Sequence, residues 1–127
     1  MDHGGAVKLI AAAQQAGISR YVMVSSMGAD PDAAGDDTFA VYLRAKGQAD
    51  EDLRASGLDF TVIRPGRLTD DAGTGQVALA ENGERGAVPR DDVAAVIADV
   101  LPAANTVGRT ADLISGNVPV EEAVKAL

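Results

Sequence analysis

A doubly wound α/β fold, present only in part, is what this sequence predicts, on three observations. Helix-period and strand-like segments alternate along the chain, two of the strand candidates end in Ser25-Ser26 and Pro65-Gly66, and no glycine-rich nucleotide turn leads out of any strand. Alternation of this kind belongs to sheets covered by helices on both faces. The order read from the residues is helix, strand, helix, strand, excursion, helix, strand, helix. Three main strands flanked by helices make about half of a complete nucleotide-binding, Rossmann-like parallel sheet. The 127 residues fit a single domain, 1–127, that is incomplete: a C-terminal half.

Ala6, Leu9, Ile10 and Ala13 fall at i, i+3, i+4 and i+7 and Gly17 follows, which predicts an amphipathic helix over 6–16 with a glycine stop. Tyr21-Val22-Met23-Val24 is a short apolar run without alternation and predicts a strand buried on both faces. Residues 29–37 are rich in Asp, Ala, Pro and Gly and read as a loop, with Asp37 or Thr38 as N-cap of the next helix. That helix is expected over about 39–55. Tyr42, Ala45, Lys46, Ala49 and Leu53 share one face of it, taken as the inward one, and Gly57 stops it.

Phe60-Thr61-Val62-Ile63 predicts the second strand, closed by Arg64-Pro65-Gly66. Strand, helix and strand then make a right-handed parallel unit. Residues 67–89 carry four glycines and only Val77, Leu79 and Val88 as apolar anchors, so an irregular excursion with at most a small hairpin is expected. Asp91 and Asp92 open a helix whose Val93, Val96, Ile97, Val100 and Leu101 form a full core stripe, ended by Pro102. Residues 110–114 predict a third strand, and 119–127 a last helix with Pro119 near its start.

Composition narrows the function. Apolar residues are 46% but aromatics 3%, with no Trp, so the core is built from Val, Leu, Ile and Ala. A formal charge of −8 repels nucleic acid and anionic membrane surfaces. Without Cys there is no disulfide, thiolate nucleophile or Cys-bound metal, and the lone His3 makes no His-rich site, so no metal is expected. The start, Met1-Asp2-His3-Gly4, is not a basic leader, and no run of about 18 apolar residues occurs. A cytoplasmic protein is the expectation.

Tyr42 and Lys46, four apart, lie on one helix face. An ammonium beside a phenol stabilises the phenolate and makes the phenol a usable acid. Tyr42 as proton donor, Lys46 as its tuner and Ser26 as a hydroxyl that orients the substrate carbonyl form the candidate catalytic set. A plainer reading stands beside it. Tyr42 and Lys46 then form a core-edge Tyr with a snorkelling Lys, Ser25-Ser26 only caps a strand, Arg64 pairs with one of the many Asp residues, and Asp91-Asp92 simply start a helix.

The segments 24–30, Tyr42-Leu43-Arg44-Ala45-Lys46, 56–66, Leu68-Thr69 and 88–94 together resemble the atypical short-chain dehydrogenase/reductases, in particular the NAD(P)H-binding, NmrA-like and biliverdin-reductase-B-like group. The resemblance covers essentially the whole chain. It implies NAD(P)H as cofactor, with Ser25 and Ser26 bordering nicotinamide and substrate, Tyr42 and Lys46 against the nicotinamide ribose, and Pro65-Gly66 touching the carboxamide through backbone atoms. It also implies a hydride transfer to a small carbonyl or related acceptor.

The family's first strand, with its Gly-x-x-Gly-x-x-Gly pyrophosphate turn, would precede this chain by roughly a hundred residues. Gly83-Glu84-Arg85-Gly86 offers two glycines at the right spacing, but Pro89 stands in the third place. About three charge-assisted hydrogen bonds, at ~1.5–3 kcal/mol each, would go with that turn, so the chain alone is expected to bind cofactor roughly 10³- to 10⁶-fold more weakly. A shortened product, a misplaced start or a cut chain is expected, and Met1, standing where the family has an apolar residue, suits the misplaced start. The alternative is a non-catalytic interaction module, in which the unpaired side of the Tyr21–Ser25 strand is covered by a second copy or another partner.

Overall fold

The computed structural model describes the backbone of residues 3–127 and the side chains of residue 5 and residues 7–127. Met1, Asp2 and the side chains of His3 and Ala6 lie outside the described residues, and with them the expectations drawn from Met1 and His3. Helix α1 spans His3–Gln15, β1 Arg20–Val24, α2 Thr38–Arg54, β2 Asp59–Pro65, β3 Arg67–Thr69, β4 Gln76–Ala80, β5 Ala87–Pro89, α3 Arg90–Val100, β6 Arg109–Ser115, β7 Val118–Pro119 and α4 Val120–Lys125. A short 3₁₀ turn, Ala104–Thr106, precedes β6.

Five strands form the main sheet in the order β1-β2-β6-β4-β7. The first three run parallel, with Val24 beside Ile63 and Pro65 beside Leu113. Strand β4 joins β6 antiparallel and β7 joins β4 antiparallel. Strands β3 and β5 pair parallel in a separate ribbon.

Alternate residues of a strand face opposite sides, and β2 shows this at its centre. Val62 packs with Ile10 and Leu53 of α1 and α2, while Ile63 packs with Val93, Val96 and Val100 of α3 and with Val120 and Val124 of α4. Helices therefore cover both faces, as the doubly wound reading expects. The loop-to-helix join at α2 is capped by Asp37, whose Oδ1 accepts the Ala40 amide at 2.7 Å. Gly17 and Gly57 end α1 and α2 with φ of +73° and +78°, a left-handed turn open to glycine without steric cost.

Three expectations are corrected. Strand β1 is not buried on both faces: its residues 20–23 are half-buried and Val24 is exposed, because β1 is the edge of the sheet. The 67–89 excursion is not irregular, since it holds β3, β4 and β5, with β4 a full member of the main sheet. The face of α2 that carries Tyr42 is inward only in its second half: Ala49 and Leu53 are buried, whereas Tyr42 is 44% exposed.

Candidate functional site

Strand β1 stops at Val24 while its neighbour β2 continues to Pro65, and the chain leaving β1 folds across the end of β2. The Ser25 amide donates to the Ile63 carbonyl at 2.7 Å and the Met27 amide to the Pro65 carbonyl at 2.9 Å. The Gly66 amide in turn donates to the Leu113 carbonyl of β6 at 2.9 Å. These bonds fix the carboxyl ends of the parallel strands, where ligands lie in open α/β sheets. A cavity of about 610 Å³ opens there. Ser26, Met27 and Gly28 line it from the turn after β1, Phe39 and Leu43 from α2, Pro65, Gly66 and Arg67 from β2 and β3, and Gly83, Arg85 and Gly86 from the excursion.

Of the residues singled out from sequence, Ser26, Pro65 and Gly66 line this cavity directly. Ser25 does not: it is buried and its hydroxyl donates to Asp50 Oδ2 at 3.0 Å. The Ser26 hydroxyl is engaged only by a long contact of 3.4 Å to the Met27 carbonyl, which leaves it free to turn toward a ligand. Tyr42 and Lys46 flank the cavity rather than line it. Phe39 and Leu43, which line it, share a helix face with Tyr42 and Lys46 by their three- and four-residue spacing. Tyr42 stacks on Phe39 with ring centroids 6.4 Å apart, and Lys46 Nζ stands 5.6 Å from the Tyr42 ring centroid, a cation over an aromatic face. The ammonium therefore meets the ring itself in this arrangement.

The site also has a buried support that the sequence only hinted at. Arg64 donates to Asp50 Oδ2 from Nε at 3.0 Å and from Nη2 at 2.8 Å, so Ser25 and Arg64 share one carboxylate oxygen of a fully buried Asp. The expectation that Arg64 pairs with an Asp is met, and the partner is Asp50 on α2. This network ties the end of β1 and the end of β2 to α2 directly beneath the cavity. Gly47 is the helix's point of closest approach: a Cβ there would run into the Asp30-Pro31 backbone. Asp92 also exceeds its expected role as a helix starter. It is buried, and it accepts from the Thr74 and Gly75 amides at 3.1 and 3.0 Å and from the Thr74 hydroxyl at 3.3 Å, pinning the excursion to α3. No sequence pattern signals that contact across 17 residues.

At the opposite end of the sheet, Arg20 spreads over the Leu101, Asp59 and Val100 carbonyls and the Thr61 and Thr106 hydroxyls at 2.9–3.1 Å. Burial lowers its affinity for the proton, and the Asp59 charge works against that. Burial raises the Tyr21 phenol above its ordinary value. Neither residue lines the cavity. A second hollow of about 410 Å³ lies between α1 and α2, bordered by Val7, Ile10, Gln14, Asp52 and Ser56, away from the strand ends. Among the described residues no helix is long and apolar enough to cross a membrane, and no group of three or more His, Asp or Glu gathers as metal ligands would.

Residues 1–104 match the family model described as NAD(P)H-binding. A Bacillus subtilis (strain 168) protein named as an uncharacterized sugar epimerase, YhfK, is 44% identical over 127 residues, covering 100% of this chain and 59% of that protein. A solved Bacillus halodurans structure, described provisionally as an NAD-dependent epimerase/dehydratase, matches at 39% identity with a TM-score of 0.90 over 97% of this chain and 58% of that one. ChuY, an anaerobillin reductase from Escherichia coli O157:H7, matches at 33% identity with a TM-score of 0.76 over 89% of this chain and 58% of that one. The chain thus spans less than two thirds of the length of these relatives.

Proposed function

The chain belongs to the NAD(P)H-binding family, and from that premise we propose that it forms the nicotinamide and substrate side of an oxidoreductase site that delivers hydride to a small carbonyl or related acceptor. The observation that carries this is the 610 Å³ cavity at the carboxyl ends of β1 and β2, lined by Ser26, Pro65 and Gly66.

The residues present fit the nicotinamide end of the cofactor. The Met27, Phe39, Leu43 and Pro65 walls suit a flat ring, and Gly66 and Gly86, which also line the cavity, add no side chain to it; Gly66 is packed against the Gly86 carbonyl, where a Cβ would collide. A reduced nicotinamide supplies a hydride when bound. In this reading Ser26 donates its hydroxyl proton in a hydrogen bond to the acceptor oxygen and orients it. Tyr42, at the rim, donates a proton to that oxygen, and Lys46 holds the Tyr42 ring and the nicotinamide ribose in place. Asp50 keeps Ser25 and Arg64 fixed beneath them.

Pyrophosphate fits less well. No Gly-x-x-Gly-x-x-Gly turn occurs in the sequence, so this chain alone holds cofactor weakly and turns over slowly or not at all. The reading keeps the cytoplasmic setting expected from the sequence. The test is titration of NADPH into the purified chain: millimolar binding that is weakened by Lys46→Ala supports the reading, and no binding at millimolar NADPH removes catalysis by this chain alone.

A second reading rests on a different observation. Strand β1 is the edge of the main sheet and its Val24 is exposed, so its outer side is open to pairing with a second copy or another partner. Size measurement in solution separates the two, since a well-behaved monomer at high concentration argues against self-pairing.

A further inference from the structure

We propose that the acceptor taken by this cavity is an anion, a carboxylate carried on an apolar body, and that Arg67 and Arg85 select it; this rests on the cavity being the substrate site. Among the described residues, Arg67 and Arg85 are the only charged ones lining the cavity. That runs against the chain as a whole, which carries 19 acidic against 11 basic residues. The two also stand apart from every other arginine. Arg20, Arg44, Arg54, Arg64, Arg90 and Arg109 each donate to a carbonyl, hydroxyl or carboxylate oxygen. Among the described residues, the guanidinium groups of Arg67 and Arg85 make no such bond.

Both are held on one wall. The Arg67 amide donates to the Gly86 carbonyl at 3.0 Å, and Arg67 pairs in register with Ala87, so the β3–β5 ribbon brings Arg67 next to the segment that directly follows Arg85. The Gly83 amide donates to Asp112 Oδ2 at 3.1 Å and anchors the turn that carries Arg85 to β6. Met27, Phe39 and Leu43 come from other elements, the turn after β1 and α2. A cavity lined by apolar side chains and two unpaired forks is complementary to a molecule with a hydrophobic body and a planar anionic end, which a guanidinium meets with two parallel hydrogen bonds.

Calorimetric titration of the purified chain with 2-naphthoate and with its neutral isostere 2-naphthamide, at low salt, tests this. Naphthoate is expected to bind about tenfold more tightly than naphthamide, with Arg67→Gln and Arg85→Gln each reducing that preference, the double variant abolishing it, and naphthamide affinity unchanged throughout. Equal binding of the two probes, no binding of either, or a preference that survives the double variant overturns the proposal. So does an outcome in which the substitutions weaken NADPH and leave naphthoate untouched, because the arginines then serve a cofactor phosphate. If NADPH fails to bind while the naphthoate preference stands and follows the arginines, the cofactor reading fails and the anion selectivity remains.

Discussion

Arg64 grips Asp50 with two nitrogens on a single carboxylate oxygen, Oδ2, at 3.0 and 2.8 Å, while the other oxygen, Oδ1, is buried with no hydrogen-bond partner among the described residues. Asp50 is fully buried and Arg64 is about one-fifth exposed, so the pair sits where solvent screens little. The end of β1, β2 and α2 meet in that contact through Ser25, Arg64 and Asp50.

Removing one partner of such a pair leaves the other charge uncompensated, which in buried settings costs about 3–5 kcal/mol, and the partial exposure of Arg64 favours the lower end. Asp50→Ala is therefore expected to destabilise the chain by about 3 kcal/mol in urea unfolding. A change within about 0.5 kcal/mol would show that the pair is structurally dispensable.

The Asp92 carboxylate makes a similar prediction with a local readout. Asp92→Ala strands the Thr74 and Gly75 amides and is expected to cost about 1–3 kcal/mol. Because the lost bonds hold only the start of β4, hydrogen exchange at Gly75 and Gln76 should accelerate before the amides of β2 respond. Uniform acceleration across the sheet would contradict a local role.

How far the sequence foretold this site follows from what periodicity records. The alternation of core stripes gave α1–α3, β1, β2 and β6 their places, and turn residues marked the Ser25-Ser26 and Pro65-Gly66 strand ends, because those signals are local. Strand β4 escaped because only Val77 is fully buried in it and its partner β6 lies some thirty residues away; nothing within Gln76–Ala80 announces an antiparallel match. Tyr42 was set on the right face of α2 but given the wrong environment, since a 3.6-residue period says which side chains share a face and not how far along the helix the sheet covers it. Charge partners were the least legible: any of the many Asp residues could have met Arg64, and only the fold brings Asp50 to it.

Gly66 lies where β2 turns into β3, against Gly86. A Cβ there would overlap the Gly86 carbonyl oxygen, which accepts the Arg67 amide in the first bond of the β3–β5 ribbon. Gly66→Ala is expected to cost about 1–3 kcal/mol, as overpacking against backbone does, and to part the ribbon. Loss of the Arg67 amide protection, measured by exchange, checks it.

Tyr21 supplies a pH dependence. Burial raises its phenol above the ordinary value near 10, so between that value and the higher folded one the native chain holds a proton that the unfolded chain has released. The unfolded state then binds fewer protons, and stability falls as pH rises through this window. Tyr21→Phe removes the contribution, so the difference in unfolding free energy between the two proteins should be flat at neutral pH and should shift in favour of Tyr21→Phe above about pH 10. A parallel pair of curves through that range would refute it.

Tyr42→Phe separates the catalytic reading of the Tyr42–Lys46 pair from the plain one. The substitution keeps the ring that stacks on Phe39 and lies beside Lys46 Nζ, and it deletes only a hydroxyl on a side chain that is 44% exposed, so stability should stay within about 0.5 kcal/mol. If that hydroxyl delivers the proton to the reduced carbonyl, the rate of NADPH oxidation by a responsive acceptor, in a protein that carries both halves of the cofactor site, falls by about 10²- to 10⁴-fold. NADPH affinity should change little, because the ring and Lys46 remain. A rate that survives the loss of the hydroxyl leaves Tyr42 as a wall of the cofactor site and moves the proton to Ser26 or to water, and Ser26→Ala with Tyr42→Phe in one chain distinguishes those two.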